Sequence, residues 1–229
     1  MLLTRLPVAR LSRGDVPPAA CVWAYPLVGA VVGGIGAGVF ALAWLGLPPA
    51  IAAILAITAT ILATGGLHED GLADTADGFG GGRTVERKLE IMRDSRIGSY
   101  GALALMLSLA LRITALALIA EPKAAAFALI AAGTLGRGAM LLPLLRLHPA
   151  RTSGLAAPLT AMAPATACIG LALAAAPATL APATLAAGLA AAAIMTWLAR
   201  RQIDGYTGDV LGATEQVAEC AVLTALLIR

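Results

Sequence analysis

Residues 51–82 read IAAILAITATILATGGLHEDGLADTADGFGGG. An apolar run gives way to four acids, Glu69, Asp70, Asp74 and Asp77, set among glycines. Residues on a helix are spaced about 100° apart. Asp70, Asp74 and Asp77 then fall within roughly 60° of one another, on one face. The run before them is apolar enough to lie in lipid, so the acids mark the place where a hydrophobic segment meets water.

The rest of the chain fits that reading. Of 229 residues, 59% are hydrophobic and 13% are charged, with a mean hydropathy of +0.87. Soluble domains are about a quarter charged. A bilayer-spanning helix takes about 20 apolar residues. Expected spans are 22–46, 51–67, 100–120, 124–147, 155–176, 180–199 and 210–228, the fifth and sixth interrupted by Pro158, Pro164, Pro177 and Pro182. Alternation at period two is absent, and Ala and Leu dominate. The expectation is all-α: one polytopic integral membrane bundle over 1–229, with about six to seven transmembrane helices. Arg5 and Pro7 interrupt any leader-like apolar region, so the start is not read as a signal peptide. Cys21, Cys168 and Cys220 are far apart and read as packing residues.

Basic residues orient the bundle. Arg5, Arg10, Arg13, Arg83, Arg87, Lys88, Arg93, Arg96, Arg146, Arg151, Arg200 and Arg201 fall on one side of the seven-span arrangement, against Lys123 and Arg229 on the other. Cytoplasmic loops carry the Lys and Arg excess, which places the N-terminus and the acidic segment inside. The net charge of +3 is therefore no sign of a nucleic-acid partner. In the loop 83–99, Val85, Leu89 and Met92 recur at helical spacing and suit a short helix in the headgroup interface.

Like charges one turn apart destabilise a helix, and burial near a bilayer worsens the repulsion. A divalent cation removes it. Three carboxylates are hard oxygen ligands that suit Mg²⁺ or Mn²⁺. A single aspartate here would read as a helix cap; three on one face, Asp70, Asp74 and Asp77, read as a metal site. Gly78, Gly80, Gly81 and Gly82 leave backbone bare for a phosphate to approach. His68 points off the carboxylate face and reads as an orienting residue rather than a metal ligand.

A second acidic set lies in DGYTGDVLGATEQVAEC, residues 204–220. Asp209 opens it, and Glu215 and Glu219 follow one turn apart within the last expected span. Ionisable residues inside a span are costly and are functional candidates. The alternative is pairing with the intramembrane Arg112 or Arg137. Arg137 sits between two glycines, with room for a phosphate beside its guanidinium. No nucleotide P-loop is present, since GFGGGRT lacks the GK[ST] ending. Two acidic clusters with arginines nearby describe metal-assisted phosphoryl transfer.

The chain also resembles a known family, the cobalamin (5′-phosphate) synthases or adenosylcobinamide-GDP ribazoletransferases. The likeness is carried by LTRLPV at 3–8, YPLVGAVVGG at 25–34, GGLHEDGLADTADGFGGG at 65–82, MRDSRIGSYG at 92–101 and GYTGDVLGATEQVAE at 205–219. Glu69 stands where the family usually has an apolar residue, and DGYTGD replaces a more usual Gly-Gly start. The resemblance implies transfer of the cobinamide phosphate of adenosylcobinamide-GDP to the 3′-hydroxyl of α-ribazole or its 5′-phosphate, with GMP leaving. It also implies Mg²⁺ dependence and a site facing the cytoplasm of a bacterial inner membrane. Asp70, Asp74, Asp77, Asp209 and Glu215 become the catalytic candidates. His68, Gly78, Gly81, Arg93, Asp94, Arg96, Arg137 and Glu219 become those for substrate binding. Partners would be the two substrates and the lipid bilayer, with an oligomer compatible.

Two rival readings share some residues. A CDP-alcohol phosphotransferase would use Asp74, Asp77 and Gly78 in its signature, but Arg83 is displaced by one and the later aspartates are missing. A cation transporter would use the acids as a pathway, and has no need of RDSRIGSYG.

Overall fold

Gly65 and Gly66 both adopt left-handed backbone, φ 72° and 73°, a conformation that glycine takes without steric cost. They break the opening stretch into two helices that meet at 89°. The computed structural model describes residues 3–6, 16–151, 154 and 156–228. Ten α-helices are described: α1 Tyr25–Trp44, α2 Pro49–Thr64, α3 Leu67–Gly81, α4 Val85–Ile91, α5 Ser99–Ile119, α6 Pro122–Ala139, α7 Leu141–Arg146, α8 Pro164–Ala174, α9 Pro182–Ile203 and α10 Gly208–Ala225. Short 3₁₀ turns cover Pro18–Ala24, Ala157–Ala161 and Ala176–Thr179. Among the described residues there is no strand, only an isolated bridge between Pro149 and Tyr206.

Four segments are long and apolar enough to cross a membrane: Pro18–Trp44, Ser99–Ile119, Pro122–Arg146 and Pro182–Ile203. A fifth is added if α2 and α3 count as one broken span. The bend turns α3 aside from α2, as in a broken span or a re-entrant loop, and α3 packs along the first halves of α5 and α10. Of the seven expected spans, the first, third, fourth and sixth answer to these four segments, and the second to the first arm of the bent pair. The fifth, 155–176, becomes a 3₁₀ turn and the short α8. The sixth starts late, because Pro182 begins α9. A proline has no N–H to continue a preceding helix but fits a first turn. The seventh, α10, is a helix with three carboxylates along it.

Exposed Leu27, Val31 and Leu42 on α1, and Leu103, Met106, Leu107 and Leu118 on α5, form apolar outer faces. Soluble monomers rarely expose such large patches. Trp23 and Trp44, at either end of α1, are also exposed, as expected of interfacial anchors. The molecule is a membrane protein.

Lipid gives helices little hydrophobic reason to associate, so small residues and close packing must hold them. The tightest pair is α1 against α6. Gly29 and Gly133 touch backbone to backbone, and a Cβ on Gly29 would overlap the Gly133 carbonyl. One turn on, a Cβ on Gly33 would overlap the Leu129 carbonyl. Behind this seam lies a core of Phe40, Ile57, Leu116, Leu129 and Leu223. A second core, with Val22, Tyr25, Met140, Leu141, Tyr206 and Leu211, lies toward the acid-bearing end and underlies the site.

Candidate active site

The site is built where α3 crosses α10. Gly71 of α3 faces Asp209, and an added Cβ there would stand 2.8 Å from the Asp209 carbonyl oxygen. Gly212 of α10 faces His68, with a would-be Cβ at 3.2 Å from its Cα and its carbonyl oxygen. These two bare positions let the helices touch. Contact at Gly71 brings Asp209 beside the acids of α3.

Asp70, Asp74 and Asp77 lie on the expected helix. Asp70 is exposed, Asp74 half-buried and Asp77 buried. Burial raises the Asp74 pKa, and the nearby charges of Asp70, Asp209 and Asp77 raise it further, to about 7, with Arg151 opposing them. Burial is also the main cause that raises Asp209. Asp77 is differently placed. Its Oδ2 accepts from the Gly98 amide at 2.7 Å and its Oδ1 from the Gly101 amide at 2.9 Å. Expected as a metal ligand with Asp70 and Asp74, it instead caps the start of α5. Asp209 Oδ2 faces Arg151 Nη1 at 3.3 Å and accepts from the Thr207 hydroxyl at 3.2 Å. With Asp77 and Asp209 so engaged, no three acid, histidine or cysteine groups among the described residues close on one point as metal ligands would. The donor chemistry still suits a hard divalent cation: Asp70, Asp74 and Asp209 crowd one another, Arg151 stands beside only Asp74 and Asp209, and hard oxygens favour Mg²⁺.

A pocket of about 170 Å³ opens beside this crossing. His68, Asp70, Arg151, Thr207, Gly208 and Asp209 give it polar groups, and residues such as Leu3, Tyr25, Met140, Leu159 and Leu211 give it apolar walls. His68 is 1% exposed and its Nε2 has no partner. It lines the pocket beside Asp70 and Asp209.

The second acidic set divides. Asp209 joins the pocket; Glu215 and Glu219 do not line it. Arg137 Nη1 lies 2.7 Å from Glu215 Oε1 and 3.2 Å from Glu219 Oε1. Arg112 reaches Glu219 at 3.2 Å and Glu69 at 3.1 Å. Gln216 donates to Glu69 at 3.2 Å and to Glu215 at 2.9 Å. Arg112, Arg137 and Glu215 are each at most 2% exposed. This is the arginine-pairing alternative, realised for both glutamates, with Glu69 as an unforeseen third carboxylate.

Other expected contacts are taken by packing. Gly78 lies against Met92, and Gly80 against the Tyr100 ring. Gly81 is more open, 3.4 Å from Ile91 at its would-be Cβ. These glycines admit α4 and α5 to α3. Arg93 and Arg96 are exposed, and Arg96 pairs with Asp94 at 2.6 Å. With Arg87, Glu90 and Ile91 they line a second, outer hollow. Sequence reasoning assigned Arg151 only to orientation, since a lone arginine in a loop gives no spacing signal.

An all-α membrane bundle with carboxylates, one arginine and an apolar-walled pocket at its end is the build of a membrane enzyme for phosphate esters. Similarity to known proteins narrows it. The family model described as cobalamin-5-phosphate synthase matches residues 1–227. A Mesorhizobium japonicum protein named adenosylcobinamide-GDP ribazoletransferase is 48% identical, covering 97% of this chain and 88% of its own. Proteins of that name from Bradyrhizobium diazoefficiens and Azorhizobium caulinodans are 48% and 49% identical, covering 96% and 98% of this chain and 88% and 92% of their own. No solved structure matches. The chain belongs to the cobalamin-5-phosphate synthase family. It is a transferase of cobalamin synthesis.

Proposed function

We propose that the chain joins the cobinamide phosphate of adenosylcobinamide-GDP to the 3′-hydroxyl of α-ribazole, or of its 5′-phosphate, and releases GMP. The observation that carries this is the α3–α10 crossing, where Asp70, Asp74, Asp209 and Arg151 gather beside an apolar-walled pocket. The polar groups suit a pyrophosphate. The apolar wall suits the body of a large organic substrate. The family match supports this chemistry over a lipid phosphotransferase or a cation pathway.

Asp70, Asp74 and Asp209 are the residues that would hold Mg²⁺ or Mn²⁺, with Asp77 behind them as the cap that fixes α5. Bound there, the ion would neutralise charge growing on the leaving phosphate. Asp70 and Asp209, which line the pocket, are the carboxylates able to take the proton of an attacking hydroxyl. His68, buried in the pocket lining, orients the floor. The network of Arg112, Arg137, Glu69, Glu215 and Glu219 locks α3, α5, α6 and α10 together and keeps the crossing in register.

The acid-bearing end faces the cytoplasm of a bacterial inner membrane in this reading. Arg5 donates its amide to Ala63 at 2.8 Å, and Lys88 bonds Gln202, so the N-terminal segment, α4 and the end of α9 gather there with their basic residues. The test is release of GMP from adenosylcobinamide-GDP by the purified, detergent-solubilised chain with α-ribazole and with α-ribazole 5′-phosphate. No release with either acceptor would overturn the proposal.

A further inference from the structure

We infer that Arg151 is a phosphate-binding residue of the pocket, which exchanges its Asp209 partner for a substrate phosphate. This rests on the reading of the pocket as the transferase site, and it adds a residue to which no role in that chemistry has been assigned. Arg151 is the sole arginine or lysine among the described residues that line the pocket. Its segment is fixed by two backbone bonds: Tyr206 donates to His148 at 2.9 Å, and Ala150 donates to Tyr206 at 2.8 Å. That clip lays the residue directly before Arg151 along the entry to α10.

The guanidinium is then only partly used. Nη2 donates to the Leu89 carbonyl at 3.1 Å, Nη1 faces Asp209 at 3.3 Å, and Nε is buried with no partner among the described residues. The Asp209 contact is a single one, and it is more exposed than the buried pairs of Arg112 and Arg137, so it is open to exchange. A phosphate offers the planar fork a bidentate partner that this geometry does not.

Two further groups converge on the same place. Gly208 and Asp209 form the first turn of α10, where backbone amides point outward and the helix dipole favours an anion. The unpartnered Nε2 belongs to His68, which is buried and lines the pocket. Together they describe a cradle with positive and neutral donors on one side, facing the carboxylates of α3 on the other. An anionic phosphate fits between them, and the α3 carboxylates would hold the cation that accompanies it. When Arg151 turns to the phosphate, Asp209 is released toward Asp70 and Asp74. Binding of the substrate thereby completes the carboxylate set.

The test uses the full chain in detergent. Binding of inorganic pyrophosphate at fixed Mg²⁺, and turnover of adenosylcobinamide-GDP, are measured for the parent, Arg151→Ala, Arg151→Lys and Arg201→Ala. Arg201 stacks on Trp197 at 5.5 Å, away from the pocket, and serves as control. Arg151→Ala should bind pyrophosphate at least about tenfold more weakly and lose about 10²-fold in kcat/KM, with Arg151→Lys between it and the parent and Arg201→Ala unchanged. Pyrophosphate affinity and KM within twofold of the parent in Arg151→Ala would overturn the inference, as would a parent that binds no pyrophosphate. If Arg151→Ala fails to fold, Arg151→Lys decides: weakening of threefold or more supports the role, and parent-like affinity refutes it. A parent that binds pyrophosphate without releasing GMP defeats the transferase reading alone, because the affinities of the variants still report on Arg151.

Discussion

Asp77 Oδ2 accepts the Gly98 amide at 2.7 Å, so an acid in the last turns of α3 closes the first turn of α5. Gly101 adds a second amide at 2.9 Å. Loss of a capping carboxylate costs about 1 kcal/mol. Asp77→Asn should lower thermal stability accordingly. The Mg²⁺ concentration for half-maximal turnover should stay within about twofold of the parent's. A large shift in that concentration, with unchanged melting, would make Asp77 a metal ligand instead.

Asp74 is crowded by Asp70 and Asp209, and its burial adds to their repulsion. Removing its charge relieves the crowd but removes a donor. In metal-free protein, Asp74→Asn should therefore melt at or above the parent's temperature. In Mg²⁺ it should gain little, while the parent gains stability by mass action. Turnover should fall roughly 10²–10³-fold. Superposable Mg²⁺ titrations of parent and variant, followed by melting and by GMP release, would remove Asp74 from the metal site.

The Arg137–Glu215 pair is sealed within the bundle. Breaking a buried pair from one side strands the other charge and costs about 3–5 kcal/mol. Arg137→Met should thus lose folded protein on solubilisation, and Arg137→Met with Glu215→Leu should recover part of it. Glu215→Gln keeps the shape and leaves Arg137 paired with Glu219, so it should fold. Its turnover should stay within an order of magnitude of the parent's, because Glu215 does not line the pocket. A folded Glu215→Gln protein with turnover reduced 10³-fold would give Glu215 a direct catalytic part.

Helix α1 offers an internal comparison. Gly29 abuts the Gly133 backbone, whereas Gly34 has nothing within 4 Å of a would-be Cβ. Overpacking a tight seam costs about 1–3 kcal/mol, and more where backbone must move. Gly29→Ala should lower the melting temperature clearly and Gly34→Ala hardly at all, as read by thermal unfolding in detergent. Equal effects would mean that the α1–α6 seam is looser than described.

Much of this was legible from local pattern. Helical spacing put Asp70, Asp74 and Asp77 on one helix, and Val85, Leu89 and Met92 marked α4. Apolar length found α1, α5, α6 and α9. Contacts between distant segments were not legible. Asp77 reaches Gly98 and Gly101 only after α4 folds back. Glu69 meets Arg112 and Gln216 only across the bundle. Arg151 reaches Asp209 only through the clip at Tyr206. The paired glycines 65 and 66 were visible, but their left-handed turn, and so the sideways course of α3, depends on what α3 packs against. Arg10 and Arg13, used to orient the chain, lie outside the described residues.

The crossing of α3 with α10 also has a consequence for biogenesis. The acids of α3 leave the ribosome early, and the helix that completes their site is nearly the last to be made. At about 5–20 residues per second, the stretch between them takes on the order of ten seconds to synthesise. By late in that interval Glu69, Arg112 and Arg137 are made but Glu215 and Glu219 are not, so the two arginines have only Glu69 between them. A ribosome that stalls before Gly208 releases a chain that has entered the membrane yet cannot neutralise its own interior. Docking of the final helix is thus the step that at once gives the buried arginines their carboxylates and the acids of α3 their Asp209.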